Sequence, residues 1–176
     1  MIVLGVVLGV VVLLGLWLMA SYNNLIRLRE MVKNAMGQIA ANVESRWDAL
    51  KSLIDATKKY SAHEAEKVVQ ARGGVNSSSS VKDIEADDNM FTQALSRLAV
   101  VVESYPELKA NTLYLNTMDK IDSYEQDVKN SRMIYNDTVT RFNRAMLVFP
   151  VVLISRMSEY EYFQHTESKS NPPSWD

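Results

Sequence analysis

At 176 residues, with the first twenty forming an apolar run, the chain has length for one further domain rather than two. Its 19 basic and 21 acidic side chains give a formal charge of −2 and are interspersed, which excludes a nucleic-acid-binding face. No cysteine is present, which excludes disulfides, thiolate catalysis, Cys-ligated metals and Cys-linked lipid anchors; only six glycines and four prolines interrupt what reads as long helices.

Residues 2–20 read IVLGVVLGVVVLLGLWLMA, without a charge or a strongly polar side chain. As a helix they span roughly the ~30 Å hydrocarbon core of a bilayer. A cleaved signal peptide fits poorly: no Lys or Arg precedes the run, it is long, and Leu18-Met19-Ala20 is not a small-x-small site. A retained transmembrane helix is therefore expected. Gly5 and Gly9 form a small-xxx-small pair that would let two such helices pack closely. Arg27, Arg29 and Lys33 follow the span, with Glu30 among them, so the positive-inside rule places the remaining chain in the cytoplasm.

Residues 22–70 read as one helix continuing out of the membrane. Leu25, Leu28, Val32, Ala35, Ile39, Val43, Leu50, Leu53 and Thr57 form a narrow stripe in steps of mostly three and four. Gly73 and Gly74 end it, and the serines at 77–80 continue as a turn. No Lys-Ser/Thr follows these glycines, so they are not a phosphate loop. Ser80 and Asp83 are spaced as a capping pair, although the usual third residue is Glu or Gln. A second helix is expected over 83–104, with Ile84, Phe91, Leu95, Leu98, Val101 and Val102 inward; Tyr105-Pro106 stops it.

A third long helix is expected from Asn111 or Thr112 to Val148. Its seam is Ile121, Glu125, Val128, Arg132, Tyr135, Val139, Phe142 and Met146, in alternating steps of four and three. Two seam positions, Glu125 and Arg132, are charged, a conflict between pattern and residue type. Phe149-Pro150 ends the helix. Val151, Val152, Leu153 and Ile154 are apolar but too few to cross a bilayer, and form a candidate interaction segment. Residues 156–163 would make a short last helix, and 169–176 a loose tail.

The second helix is too short to return to the membrane unaided. An extended stretch at 105–110, adding up to about 20 Å, would bring the chain back to the base. The third helix would then rise beside the first, giving an up-down-up bundle with its tail at the distal end. Arg46 falls on the first stripe between Val43 and Leu50, at a height similar to Glu125. A buried Arg46–Glu125 pair that fixes register is expected, with Arg132 as a further buried polar candidate.

No catalytic constellation is apparent. His63-Glu64 lacks a second ligand at helical spacing and reads as solvated surface, and His165 lies in the tail. No Ser-His-Asp order, Walker loop or dinucleotide fingerprint occurs. Neither a metal nor a cofactor is expected.

Several stretches occur together in order: YNNLIRLR at 22–29, AHE at 62–64, YPELKAN at 105–111, then Arg132, YND at 135–137, Val139, Phe142-Asn143 and Phe149-Pro150. Behind an N-terminal anchor, these make the chain resemble the LemA family of bacterial membrane proteins. The likeness covers most of the chain through Pro150. It departs at 46–54, where RWDALKSLI lacks the Pro and Asn of the family's usual Arg-x-Asp-Leu-Ile-Pro-Asn-Leu-Val. The resemblance implies a single-pass protein of the bacterial inner membrane, with an antiparallel helical bundle and no established enzymatic activity.

The expected architecture is all-α, with an anchor at 1–20, a bundle at 21–150 and an apolar, aromatic segment with a tail at 151–176. The expected function is a non-enzymatic scaffold whose partners are the lipid bilayer and further copies of itself, a homo-oligomer. The alternative is a sensory module with a polar pocket around Glu125 and Arg132.

Overall fold

A computed structural model describes residues 2–57, 74–109 and 111–164. Residues 58–70 of the expected first helix, His63-Glu64, Gly73, His165 and the 169–176 tail lie outside the described residues. Every regular element among those described is helical: α1 (Ile2–Thr57), α2 (Val81–Ser104), α3 (Pro106–Lys109), α4 (Thr112–Leu147) and α5 (Val151–Ile154). The all-α expectation holds, with the apolar N-terminal segment continuous with a bundle helix.

Helix starts and stops have local causes. Ser80 caps α2 by accepting from the Asp83 amide at 3.2 Å, and the Asp83 carboxylate accepts from the Ser80 amide at 2.7 Å. An aspartate thus closes the capping box. Its pKa is lowered, first by the Ser80 backbone N–H and then by the Ser80 hydroxyl. Asn111 caps α4 through the Leu113 amide at 2.8 Å. Tyr105, ahead of a proline, leaves the helical region with φ −131° and ψ 82°, which ends α2.

The direction of the last long helix corrects the expectation. Arg46 meets Glu125, Asn42 meets Ser131, and Trp17 meets Phe149, so α4 runs antiparallel to α1 and descends toward residues 2–20. Meanwhile Ser77 lies beside Gly37, and Asp87 and Phe91 lie beside Trp47, so α2 runs parallel to α1. The reason is α3. Pro106 opens a single helical turn, a favoured proline position, and one turn advances only about 6 Å. The chain therefore turns at the distal end of α2 instead of travelling back to the base.

This arrangement widens the buried face of α1. Leu25, Val32, Ala35, Ile39, Val43, Leu50 and Leu53 are buried as the stripe requires, but so are Met36, Ala40, Trp47, Ala49 and Ile54. One stripe serves one partner. From Met36 onward α1 meets α4 on one side and α2, with the turn leading into it, on the other, which requires two columns. The backbones of α1 and α4 are close along their shared length, and α2 stands further off.

Below the start of α2, a non-helical strap takes the third place in the bundle. Residues 155–164 do not form the expected short helix. The Asn143 side-chain amide donates to the Tyr160 carbonyl at 3.0 Å and accepts from the Tyr160 N–H at 3.1 Å. Asn136 repeats the pattern on Phe163, at 3.0 and 2.9 Å. The spacing explains the match: three extended residues and seven helical residues both cover about 10 Å. Beside each asparagine a ring pair packs edge-on at 5.2 Å, Phe142 with Tyr160 and Tyr135 with Phe163. A helix would have satisfied these backbone groups internally and left the two asparagine amides without them.

Two outcomes follow. Replacing Asn136 or Asn143 with Ala removes a pair of hydrogen bonds each, about 1–3 kcal/mol. Hydrogen exchange at the Tyr160 and Phe163 amides should accelerate in the matching variant, while exchange within α2 is unchanged. The second concerns alkaline pH. Burial, then Tyr160 and Glu161, push the Tyr135 hydroxyl from 10.0 up to about 12. The raised value favours the neutral phenol in the folded state, so its stabilisation is complete below the ordinary value of 10.0 and is lost as pH rises toward about 12. Denaturant midpoints measured across that window should fall in the parent and fall less in Tyr135→Phe.

Candidate functional site

Arg46 occupies a core position of α1, between Val43 and Leu50, and its side chain is 1% exposed. Carrying a guanidinium there without partners would be prohibitive, so the neighbouring helices supply them. Its Nη1 donates to the Glu125 carboxylate of α4 at 2.6 Å, and its Nη2 donates to Asp88 of α2 at 2.9 Å. Asp87 lies 3.6 Å from the same Nη2. The Phe91 ring covers the guanidinium face, 4.1 Å from centroid to Cζ.

The network extends from each partner. Asp87 is fully buried and accepts from the Trp47 indole N–H at 2.8 Å. Trp47 in turn packs edge-on against Phe91 at 5.2 Å. Asp88 also pairs with Arg132 of α4, whose guanidinium stands 5.1 Å from the Phe163 ring of the strap. Arg46 and Arg132 therefore share Asp88, and α1, α2, α4 and the strap meet at one cluster.

The cluster differs from a closed Arg46–Glu125 pair. Glu125 is 58% exposed, and the buried carboxylate is Asp87. Arg132 is partly buried, at 24%. Asp87 was not singled out from the sequence, although its spacing held the signal. It lies three residues after Ile84 and four before Phe91, at a core position of α2. Asn136 and Asn143 were named only among the residues that carry the family resemblance, and their part in holding the strap was not read from them.

The other expected positions lie apart from this cluster. Gly5 and Gly9 face open space, with no atom within 4 Å of an added Cβ. Val151 is buried, whereas Val152, Leu153 and Ile154 are exposed. A cleft of about 600 Å³ lies between the strap and the chain entering α2, lined in part by Lys33, Ser80, Lys82, Tyr135 and Glu159. Glu125 and Arg132 do not line this cleft. Chemically, the Arg46 cluster sets two guanidinium groups among three carboxylates, with aromatic rings against both cations. Its arrangement fixes the register of the helices.

Arg46→Met should therefore destabilise the bundle by about 3–5 kcal/mol, because it removes one side of a buried ion-pair cluster. Glu125→Gln, at the exposed edge, should cost only about 0–1 kcal/mol. Denaturant unfolding of the detergent-solubilised protein, followed by tryptophan fluorescence, checks both. Equal costs for the two variants would contradict the burial argument.

Comparison with known proteins adds to this geometry. The chain is 24% identical over 132 residues to the magnetosome protein MamQ of Magnetospirillum gryphiswaldense, covering 71% of this chain and 48% of that one. It is 28% identical over 88 residues to magnetosome protein MamQ 1 of Paramagnetospirillum magneticum, covering 48% of this chain and 32% of the relative. The same figures hold for MamQ 2 of that organism. The chain thus spans about half or less of the length of these relatives. Together with the one helix among the described residues that is long and apolar enough to cross a membrane, these similarities support a membrane-associated protein. Residues 35–175 match the LemA family, which takes in the Arg46 cluster, all of α2 and α4, and the strap, and the chain belongs to that family.

Proposed function

We propose that this chain is a non-enzymatic, membrane-anchored helical scaffold that self-associates or recruits protein partners at the bacterial inner membrane. The observation that carries this reading is α1. Residues 2–20 of this helix are exposed on every side, while the same helix continues without interruption into the core of the bundle. A helix apolar all round suits lipid, and one with a buried face suits a soluble bundle. The two joined end to end hold the bundle rigidly at a membrane surface. Arg27, Arg29 and Lys33 favour the cytoplasmic side.

Anchoring confines the bundles to two dimensions and raises their effective concentration, so weak contacts between copies become productive. The open face at Gly5 and Gly9 suits close packing of two anchors. The names of the relatives, as magnetosome proteins, support a part in organising a bacterial compartment. No metal or cofactor enters this reading. A membrane-tethered ligand-binding module is the second reading, favoured by the cleft beside Tyr135.

Native mass measurement of the full-length protein in nanodiscs or mild detergent, over a range of protein concentrations, tests the scaffold. Oligomers that grow with concentration are expected, and Gly5→Leu with Gly9→Leu should reduce them. A strictly monomeric species at every concentration would overturn self-association.

A further inference from the structure

The descending end of α4 and the turn of α5 carry an apolar surface that the bundle leaves uncovered. Leu147, Val148 and Phe149 are 66%, 60% and 61% exposed. Val152, Leu153 and Ile154 are 49%, 74% and 41% exposed, and only Val151 between them is buried. Val151 thus pins the turn to the bundle while its neighbours face outward.

The position of this surface is fixed by one contact. The Phe149 ring lies 5.5 Å from the Trp17 ring, centroid to centroid. Trp17 belongs to the uncharged stretch 2–20. Where that stretch crosses a bilayer, Trp17 comes near the boundary between lipid and water, the depth at which indoles collect. Phe149 then sits at the same depth, and the turn that follows it sits beside the anchor.

We propose that residues 147–154 are a second membrane contact: a shallow wedge inserted among the lipids next to the anchor, with anionic phospholipid headgroups held by the basic side chains above it. This rests on the anchor reading given above. The backbone of the turn is suited to leaving water. The Val152 N–H donates to the Val148 carbonyl at 3.2 Å, Leu153 to Pro150 at 3.1 Å, and Ser155 to Val151 at 2.8 Å. Pro150 has no N–H to satisfy. Apolar side chains on such a turn reach the boundary of headgroups and acyl chains, about 5–10 Å deep.

The charges around the wedge indicate the lipid. Arg144 and Arg141 are exposed within about 12 Å of Phe149 along α4. Arg27 and Arg29 are exposed on α1 just beyond the anchor, and Arg156 is exposed two residues after the end of α5. Glu159, Glu161 and Glu30 oppose them, but Glu30 is paired with Lys33 at 3.1 Å, which leaves two acidic side chains against five arginines. The excess is cationic, which attracts phosphate-bearing anionic headgroups. Continuity with the anchor and this basic rim select lipid as the occupant over a second copy of the chain.

Because the chain has no cysteine, single reporters can be placed without background. Leu153→Cys, Leu8→Cys and Lys129→Cys, each labelled with the fluorophore NBD, are reconstituted as full-length protein in phosphatidylcholine vesicles, with or without phosphatidylglycerol. All three sites are exposed, so labelling leaves the core intact. Nitroxides on the upper acyl chain should quench the probe at 153 several-fold more than the probe at 129. Phosphatidylglycerol should increase that quenching, and Arg141→Gln with Arg144→Gln should abolish the increase. If the probe at 8 is quenched but the probe at 153 matches that at 129, the wedge is wrong and the anchor stands. If the probe at 8 is also unquenched, both fall. A probe at 153 shielded from lipid nitroxide and from aqueous iodide alike, to a degree set by the protein-to-lipid ratio, assigns the surface to a second copy and overturns the wedge. Equal quenching in the two lipid mixtures overturns the headgroup preference.

Discussion

The fold depends on a guanidinium placed where water does not reach. Arg46 stands on the stripe of α1 that otherwise holds Val43 and Leu50, and its burial is complete. Removing such a cation from water is costly, and attraction to carboxylates offsets the cost only when their placement is good. Here Asp87 and Asp88 come from α2 and Glu125 from α4. A slip of either helix by one turn, about 5.4 Å, would separate the charges and leave them desolvated. Apolar packing alone tolerates such slips better, because one branched side chain fills much the same space as another. The cluster therefore contributes selectivity among packings, rather than stability as such.

The bundle has a different third member at each level. Around Arg46, α2 completes the core with Asp87, Phe91 and Ala94. Nearer the base, α2 has not yet begun, and Tyr160 and Phe163 of the strap fill that space on Phe142 and Tyr135. Arg132 joins the two levels, pairing with Asp88 above and facing Phe163 beside it. The strap can be non-helical because Asn136 and Asn143 supply the donors and acceptors that a neighbouring strand would otherwise provide.

Much of this was legible in the residues. The α4 seam of Ile121, Val128, Tyr135, Val139, Phe142 and Met146 is buried where its spacing places it. Ser80 and Asp83 mark the start of α2, and Tyr105-Pro106 its end. The direction of α4 was not legible, because 105–110 is long enough either to cross the bundle or to turn in place. The proline that stops α2 also starts the turn of α3, and spacing alone does not separate the two roles. Asp87 was missed because a carboxylate at a core position reads as a break in the pattern until a buried cation is placed opposite. The strap was missed because aromatic residues at 160, 162 and 163 fit a helix as well as an extended segment. Only the two asparagines on α4 distinguish them, and their seven-residue interval has meaning only with a chain laid alongside.

The 56 residues of α1 run without a proline or a break from the apolar stretch into the bundle. A proline, a glycine pair or a bulge would make a hinge at the lipid boundary; none stands between Trp17 and Leu25. Helices answer a mismatch between their apolar length and the local bilayer by leaning. Where the apolar stretch spans a bilayer, no joint absorbs such a lean, so it would be carried whole to the far end of the rod and tip the bundle with the thickness of the membrane beneath it.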